Sequence, residues 1–335
     1  MVNHNPKLAS SELANMWNSY LMESMNICTM KHILENVDDD QIKSIVQFSK
    51  DLSVGHLDRI KSFFEKEQIP IPHGFTEEDV IPEAPRIFSD TFYLRYLKAV
   101  SRVGITLDGK SLGTSYREDV KTFYSSLVKE DIELYNQVID LQREKGILVR
   151  TPAMEYHNQV VYIDDEQFLS GYFKKTKRAL LAVEVTHLAN NIEMNYIGKT
   201  LALGFAQIAQ SEEVKELIMA GVKLSTEIIQ SLDKILKENY IDSPLTADTT
   251  ITDNISPVYS DKLITAFISQ LIVLSIENVG QAMGANMRSD LIGEYTKIMA
   301  KLGKFSSAAN KLAIKNRWLE KPPQTMNREK VIKKN

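Results

Sequence analysis

The stretch IPIPHGFTEEDVIPEAPRI, Ile69–Ile87, sets the topology of the chain. Pro70, Pro72, Pro82 and Pro85 each remove a backbone donor and disfavour helix in the residue before them, so the segment is extended. On either side of it the apolar residues recur every three to four positions. Residues 10–35 carry Leu13, Met16, Trp17, Tyr20, Ser24, Ile27 and Leu34 on one stripe; Ile42, Ile45, Val46, Leu52, Leu57, Ile60, Phe63 and Phe64 mark a second helix to about Gln68. Phe88–Leu112 predicts a third helix, stopped at Gly113. Ser115 with Glu118 three residues on reads as the capping box of a fourth, running to about Lys145. The acidic turn Asp38–Asp40 joins helices one and two and suits a helix N-terminus. Both short connections make antiparallel pairs. Nineteen extended residues reach up to about 60 Å, and a 26-residue helix is about 39 Å long. The long connection can therefore run the full length of the bundle, which predicts the ferritin-like arrangement, not up-down-up-down.

The same unit occurs twice. With an offset of 171, Ser89-Asp90 falls on Ser260-Asp261, Gly109 on Gly280, Gly113 on Gly284, Arg117 on Arg288, Asp119 on Asp290 and Tyr124 on Tyr295. With an offset of 172, Glu12 falls on Glu184, Lys43 on Lys215 and Leu52-Ser53 on Leu224-Ser225. The expectation is an all-α chain of two tandem ferritin-like four-helix bundles, 8–152 and 180–323. Each has a long crossover between helices two and three; a linker at 153–179 joins them and a basic tail follows at 324–335. Asn286 is expected to cap the last helix. The paired Gly109 and Gly113 read as a close approach between helices. In the linker, Val160–Ile163 is an extended apolar patch, and Phe168, Tyr172 and Phe173 read as anchors onto a bundle. Lys174, Lys175, Lys177 and Arg178 read as a solvated linker end, with an anion or partner site as the alternative; Lys330, Lys333 and Lys334 make a loose basic end.

Composition narrows the function classes. The 335 residues are 43% hydrophobic and 25% charged, with 14 Gly and 10 Pro, too few turn residues for a β-sandwich. The net charge of −4 offers no global attraction for nucleic acid. No window of 18 apolar residues stands out, so no membrane span is expected. MVNHNPKLASSEL lacks the pattern of a signal peptide, and the single Cys28 suits a reducing, cytoplasmic setting in which it is a small core residue. A protein partner or self-association is compatible with this composition. No phosphate-cradling loop, Cys-x-x-Cys or serine elbow is present, so no catalytic residue is assigned.

IPIPHGFTEEDV at Ile69–Val80, PRIFSDTFYLRYL at Pro85–Leu97 and ELYNQVIDLQREKG at Glu133–Gly146 resemble a family of uncharacterised proteins of spore-forming bacteria. Its members are tandem ferritin-like bundles distantly similar to spore coat protein F. The resemblance covers nearly the whole chain. It implies the fold already reached and a spore association, and it brings no activity.

Ferritin-like bundles that handle iron use inward carboxylates and Glu-x-x-His pairs at mid-height. Counting levels in the first bundle places Glu23, His56, Glu130 and Glu133 within about one helical turn. A histidine nitrogen with two or three carboxylates is a chemically reasonable site for iron, manganese or zinc. The departures from a dinuclear centre are Ser53 in place of the Glu of Glu-x-x-His, Glu-x-x-Glu on helix four, and Arg102 on helix three where a carboxylate belongs. The alternative is a hydrogen-bonded His56 and solvated glutamates. The second bundle has Asn195, Ile228, Lys301 and Lys304 at these positions. Glu193, Glu227 and Glu277 form another conceivable set there, while Glu184, of the pair Glu184 and His187, is expected to serve its helix N-terminus. The function classes are thus a metal-binding protein with a structural second bundle, a non-catalytic structural or interaction protein, and, third, a protein that binds an apolar ligand between helices.

Overall fold

Helical propensity and the two proline-rich crossovers generate the architecture between them. The computed structural model describes residues 6–155, 158–171, 177–243 and 250–332. The first four helices are α1 Ser10–Asn36, α2 Asp40–Lys66, α3 Asp90–Gly113 and α4 Glu118–Glu144. The second four are α5 Ala182–Ile208, α6 Glu212–Glu238, α7 Asp261–Ala285 and α8 Ser289–Lys315; a short α9, Arg328–Ile332, follows. The hairpin pairs are α1 with α2, α3 with α4, α5 with α6 and α7 with α8. Around each bundle α2 adjoins α4 and α1 adjoins α3, as α6 adjoins α8 and α5 adjoins α7. These neighbours are the ones a full-length crossover creates. The chain is all-α, two tandem four-helix units.

The crossovers do more than connect. Val80 pairs with Tyr259 in antiparallel fashion, and their repeat counterparts Ile251 and Phe88 pair with each other. Ile81 N donates to Val258 O, and Thr252 N to Ile87 O, both at 2.8 Å; Ser89 N donates to Thr250 O and Ser260 N to Asp79 O at 2.9 and 3.0 Å. Every bond has its mirror at the 171 offset, so a pseudo-two-fold axis relates the bundles, as in an isologous dimer. One continuous core containing Phe88, Leu97, Phe205, Tyr259 and Phe267 runs through this junction. Gly204 matters here: a Cβ on it would lie 2.4 Å from the Phe88 ring.

The repeated polar residues secure helix ends. Glu12 is buried, accepts from Ala9 N at the start of α1, and accepts through its other oxygen from Tyr116 N and Arg117 N before α4. Its counterpart Glu184 accepts from Leu181 N and Arg288 N, as expected of a helix N-terminus. Arg117 and Arg288 each hold an aspartate two residues on, Asp119 and Asp290. These arginines are also the N-caps of α4 and α8. The expected caps do not form: Ser115 Oγ donates back to Ser111 O, and Asn286 closes the end of α7. The expected close approach at Gly109 and Gly113 is absent as well, since a Cβ on either meets open space.

Two further expectations need correction. α7 is long and apolar enough to cross a membrane by length and composition, yet it packs against α5 and α8, and its extra apolar face looks into a space between the bundles. The basic linker end is not wholly solvated. Arg178 makes a two-point bond to buried Glu184 and lies over the Phe168 ring, and Lys177 pairs with Asp290. Val160–Ile163 is exposed. Tyr172, Phe173, Lys174, Lys175, Lys333 and Lys334 lie outside the described residues.

Candidate functional site

Mid-height in the first bundle, all four helices contribute a titratable side chain. α1 supplies Glu23, α2 supplies His56, α3 supplies Asp108, and α4 supplies Glu130 and Asp131. His56 is buried, and both its ring nitrogens are used: Nδ1 lies 2.8 Å from Glu23 Oε1 and Nε2 lies 2.5 Å from Glu130 Oε2. Two carboxylate acceptors require two N–H donors, so the ring is imidazolium. Burial alone would lower its pKa; the bonds and charges of Glu23 and Glu130 outweigh this and raise it to about 9.

Beside this clamp sit Asp108 and Asp131, each only 9% exposed. Burial, followed by the nearby charge of Glu23, pushes the Asp108 carboxyl up. Burial and the charge of Asp108 push the Asp131 carboxyl up as well, so the two titrate as one coupled pair that shares a proton. Asp131 lies flat against α3 where Gly104 leaves room: a Cβ there would sit 2.5 Å from its Oδ1. Asp131 Oδ2 has no hydrogen-bond partner. Around the centre, Asn26 Nδ2 donates to Ser53 Oγ at 2.8 Å, and Arg59 lies 3.9 Å from Glu130 Oε1.

Of the four residues expected here, Glu23, His56 and Glu130 meet and Glu133 does not; it is exposed. Asp108 and Asp131 were missed. The level count assumed helices of flush ends and parallel axes, and it found Arg102 on helix three. Arg102 instead pairs at 2.9 Å with Glu193 across the bundle interface, where Lys98 also binds Glu193 at 2.7 Å. Asp131 could have been found from helical phase, because it falls with the apolar Leu127, Leu134 and Val138 on the buried face of α4. The second conceivable set does not assemble either. Glu193 is taken by Lys98 and Arg102, Glu227 pairs with Lys301, and Glu277 pairs with Lys110. Cys28 is buried, with its thiol pushed up to about 12, first by burial and then by Asp79.

As they stand, no three of the described His, Cys, Asp or Glu residues are spaced to hold a metal ion. The donor set is nevertheless chemically suited to one. It offers carboxylate oxygens and an imidazole from four helices, including an orphaned buried oxygen, with protons now occupying places an ion would take. The second bundle provides the contrast. The positions of Glu23, His56, Asp108, Glu130 and Asp131 are Asn195, Ile228, Val279, Lys301 and Leu302, and Ile228, Val279 and Leu302 belong to one apolar core.

Fold and site together define a class: a duplicated four-helix bundle in which one copy keeps a buried acid–imidazole centre and the other has an apolar core. The chain belongs to the family described as "Protein of unknown function (DUF3231)", whose model matches it twice, over residues 1–160 and 168–331. No curated protein matches it. Among solved structures it is similar to a candidate spore coat protein from Bacillus halodurans C-125. The two are 19% identical with a TM-score of 0.42, over 45% of this chain and 98% of the other.

Proposed function

We propose that the first bundle binds one divalent transition metal (iron, manganese or zinc), with the second bundle as its structural half. One observation carries this reading: the fold does not need the acidic centre. The second bundle fills the same place with Ile228, Val279 and Leu302, and burying ionisable groups where apolar ones pack costs stability. Asp108, Asp131, Glu23 and Glu130 are the oxygen donors, and His56 is the only imidazole within reach among the described residues. A bound ion would act as a Lewis acid or a redox centre. The protein's own part is to bring the donors together from four helices, to shield them from water, and to release the His56 proton and the proton shared by Asp108 and Asp131 as the ion enters.

The test is metal analysis of the full chain after exposure to each ion, for wild type, His56→Ala and Asp131→Asn. The expected result is one ion per chain in wild type and loss in both variants, with helicity unchanged. Because His56 holds its proton up to about pH 9, occupancy should rise with pH towards 9, above the unperturbed histidine value of about 6.5. Wild type free of all three metals after exposure to them at pH 8 refutes the reading.

A second reading is favoured by the completeness of the His56 clamp. With both nitrogens bonded to carboxylates, the centre is electrostatically satisfied without an ion. On that reading the chain is a non-catalytic structural or interaction protein, cytoplasmic, with spore association resting on its sequence resemblance.

A further inference from the structure

A cavity of about 510 Å³ lies between the two bundles, within the roughly 300–1,000 Å³ of small-molecule sites. It is two-faced. Its floor is Glu23, His56, Asp108 and Asp131 in the first bundle. Its walls come from both bundles and are mainly apolar, with Val103 and Leu107 on α3, Met194 on α5, and Leu271 and Leu274 on α7, while Asn26, Ser53 and the Lys110–Glu277 ion pair add polar groups. Leu271 and Leu274 are only partly covered, and Val273 beside them is 46% exposed, although α7 is apolar enough to cross a membrane. Apolar surface left without a protein partner faces this space. The space exists because α1 and α3 touch far less than α5 and α7 do. Inside the second bundle, the pocket beside Met194, Asn195 and Leu302 has only about 50 Å³.

The floor decides what can enter. His56 spends both N–H groups on Glu23 and Glu130, Asn26 donates to Ser53, and Lys110 is paired with Glu277, so the acidic floor offers more acceptors than uncommitted donors. Asp131 is 91% buried as the complement of its 9% exposure, lines the cavity, and leaves Oδ2 without a hydrogen bond. A ligand head must therefore donate hydrogen bonds and carry positive charge, while its body must be apolar to match walls of Leu, Val and Met. We propose that the interbundle cavity is a binding site for a small molecule with an apolar body and a protonated amine, the amine seated on Asp131 and the body between α3 and α7. This site does not require the metal; an ammonium and a metal ion would exclude one another at Asp131.

The experiment uses the full chain freed of metal by chelation, titrated calorimetrically at pH 7.5 with octylamine, octanol and octanoate. Octylamine should bind at least ten-fold tighter than octanol, and octanoate should not bind. Asp131→Asn should bring octylamine down to the octanol level. Leu271→Trp, or Leu274→Trp if the first variant loses helicity, should fill the cavity and abolish binding of both. Equal affinities for the three probes, or octylamine binding unchanged in the tryptophan variant, would overturn the assignment. Uptake of manganese or zinc alone, measured without amine, is scored separately, so the amine site and the metal site can fail independently.

Discussion

Raising the pH from 6 to 10 strips the proton that His56 holds between Glu23 and Glu130. The imidazole is buried, and its pKa stands at about 9 against a reference of 6.5. That difference, at about 1.4 kcal/mol for each pH unit, stabilises the fold by at most about 3–4 kcal/mol. Because the folded chain holds this proton more tightly than the unfolded one, the stabilisation is complete below about pH 6.5 and disappears as the pH rises through about 9. Asp108 and Asp131 act in the same direction. Their carboxyls are raised in the folded state, so stability falls as the pH rises from about 4, where the unfolded carboxyls ionise, through the raised values of the pair. Nitrogen-detected NMR of the imidazoles in metal-free protein reads the His56 pKa directly, and urea denaturation at several pH values reads the loss of stability. Glu23→Gln removes one acceptor charge and should shift both curves to lower pH. A His56 that titrates at or below 6.5, with the same titration in Glu23→Gln, would refute the clamp.

Four more expectations follow from the packing. Glu12→Gln weakens a buried acceptor that serves three backbone N–H groups; it should cost about 1–3 kcal/mol, read as a lower Tm at unchanged helix content. Gly204→Ala drives a methyl into Phe88 and Ile87 at the junction of the bundles and should cost about 1–3 kcal/mol. Gly109→Ala meets open space near the C-terminal end of α3 and should gain up to about 1 kcal/mol, so denaturation midpoints must move in opposite directions. Converting the first centre to the second bundle's residues, with Glu23→Asn, His56→Ile, Asp108→Val, Glu130→Lys and Asp131→Leu together, should raise the midpoint at pH 9 and flatten its pH dependence; a lower midpoint would mean the polar centre supports the fold.

The two four-helix units were legible because their signals are local or periodic. Pro70, Pro72, Pro82 and Pro85 forbid a continuous helix, and the stripes around them have a period that only a helix satisfies. The duplication was legible from Arg117 and Arg288 or Glu12 and Glu184, whose shared role at helix starts became clear only in three dimensions. The pairing of the crossovers was not legible, since nothing in IPIPHGFTEEDV says that Val80 will meet Tyr259. The site was half legible. Glu23, His56, Glu130 and Glu133 were all found by height, and height does not tell that Glu133 faces outward. Asp131 is the informative miss: a charged residue on an apolar helical face contradicts the pattern around it, and such local contradictions mark a site more reliably than equal height does.

The duplication also separates what the fold requires from what a site requires. Residues alike in both halves, Glu12 and Glu184, Arg117 and Arg288, hold helix starts that both bundles possess. Residues that differ cluster in one place. Where His56 and the two aspartates stand in the first half, Ile228, Val279 and Leu302 close the second around an apolar core, and α5 and α7 come together. Where the acids stand, α1 and α3 touch only sparsely, and the gap between them continues into the cavity walled by α7. The separation of α1 and α3 and the polarity of the centre are thus one feature. Charged and hydrogen-bonded groups cannot be squeezed dry at the cost that Ile228 and Leu302 accept, because each carboxylate needs a proton, an imidazolium or a cation beside it. The apolar face of α7 that looks into this gap is the complementary half of the same feature, so acids and apolar wall together form one binding chamber.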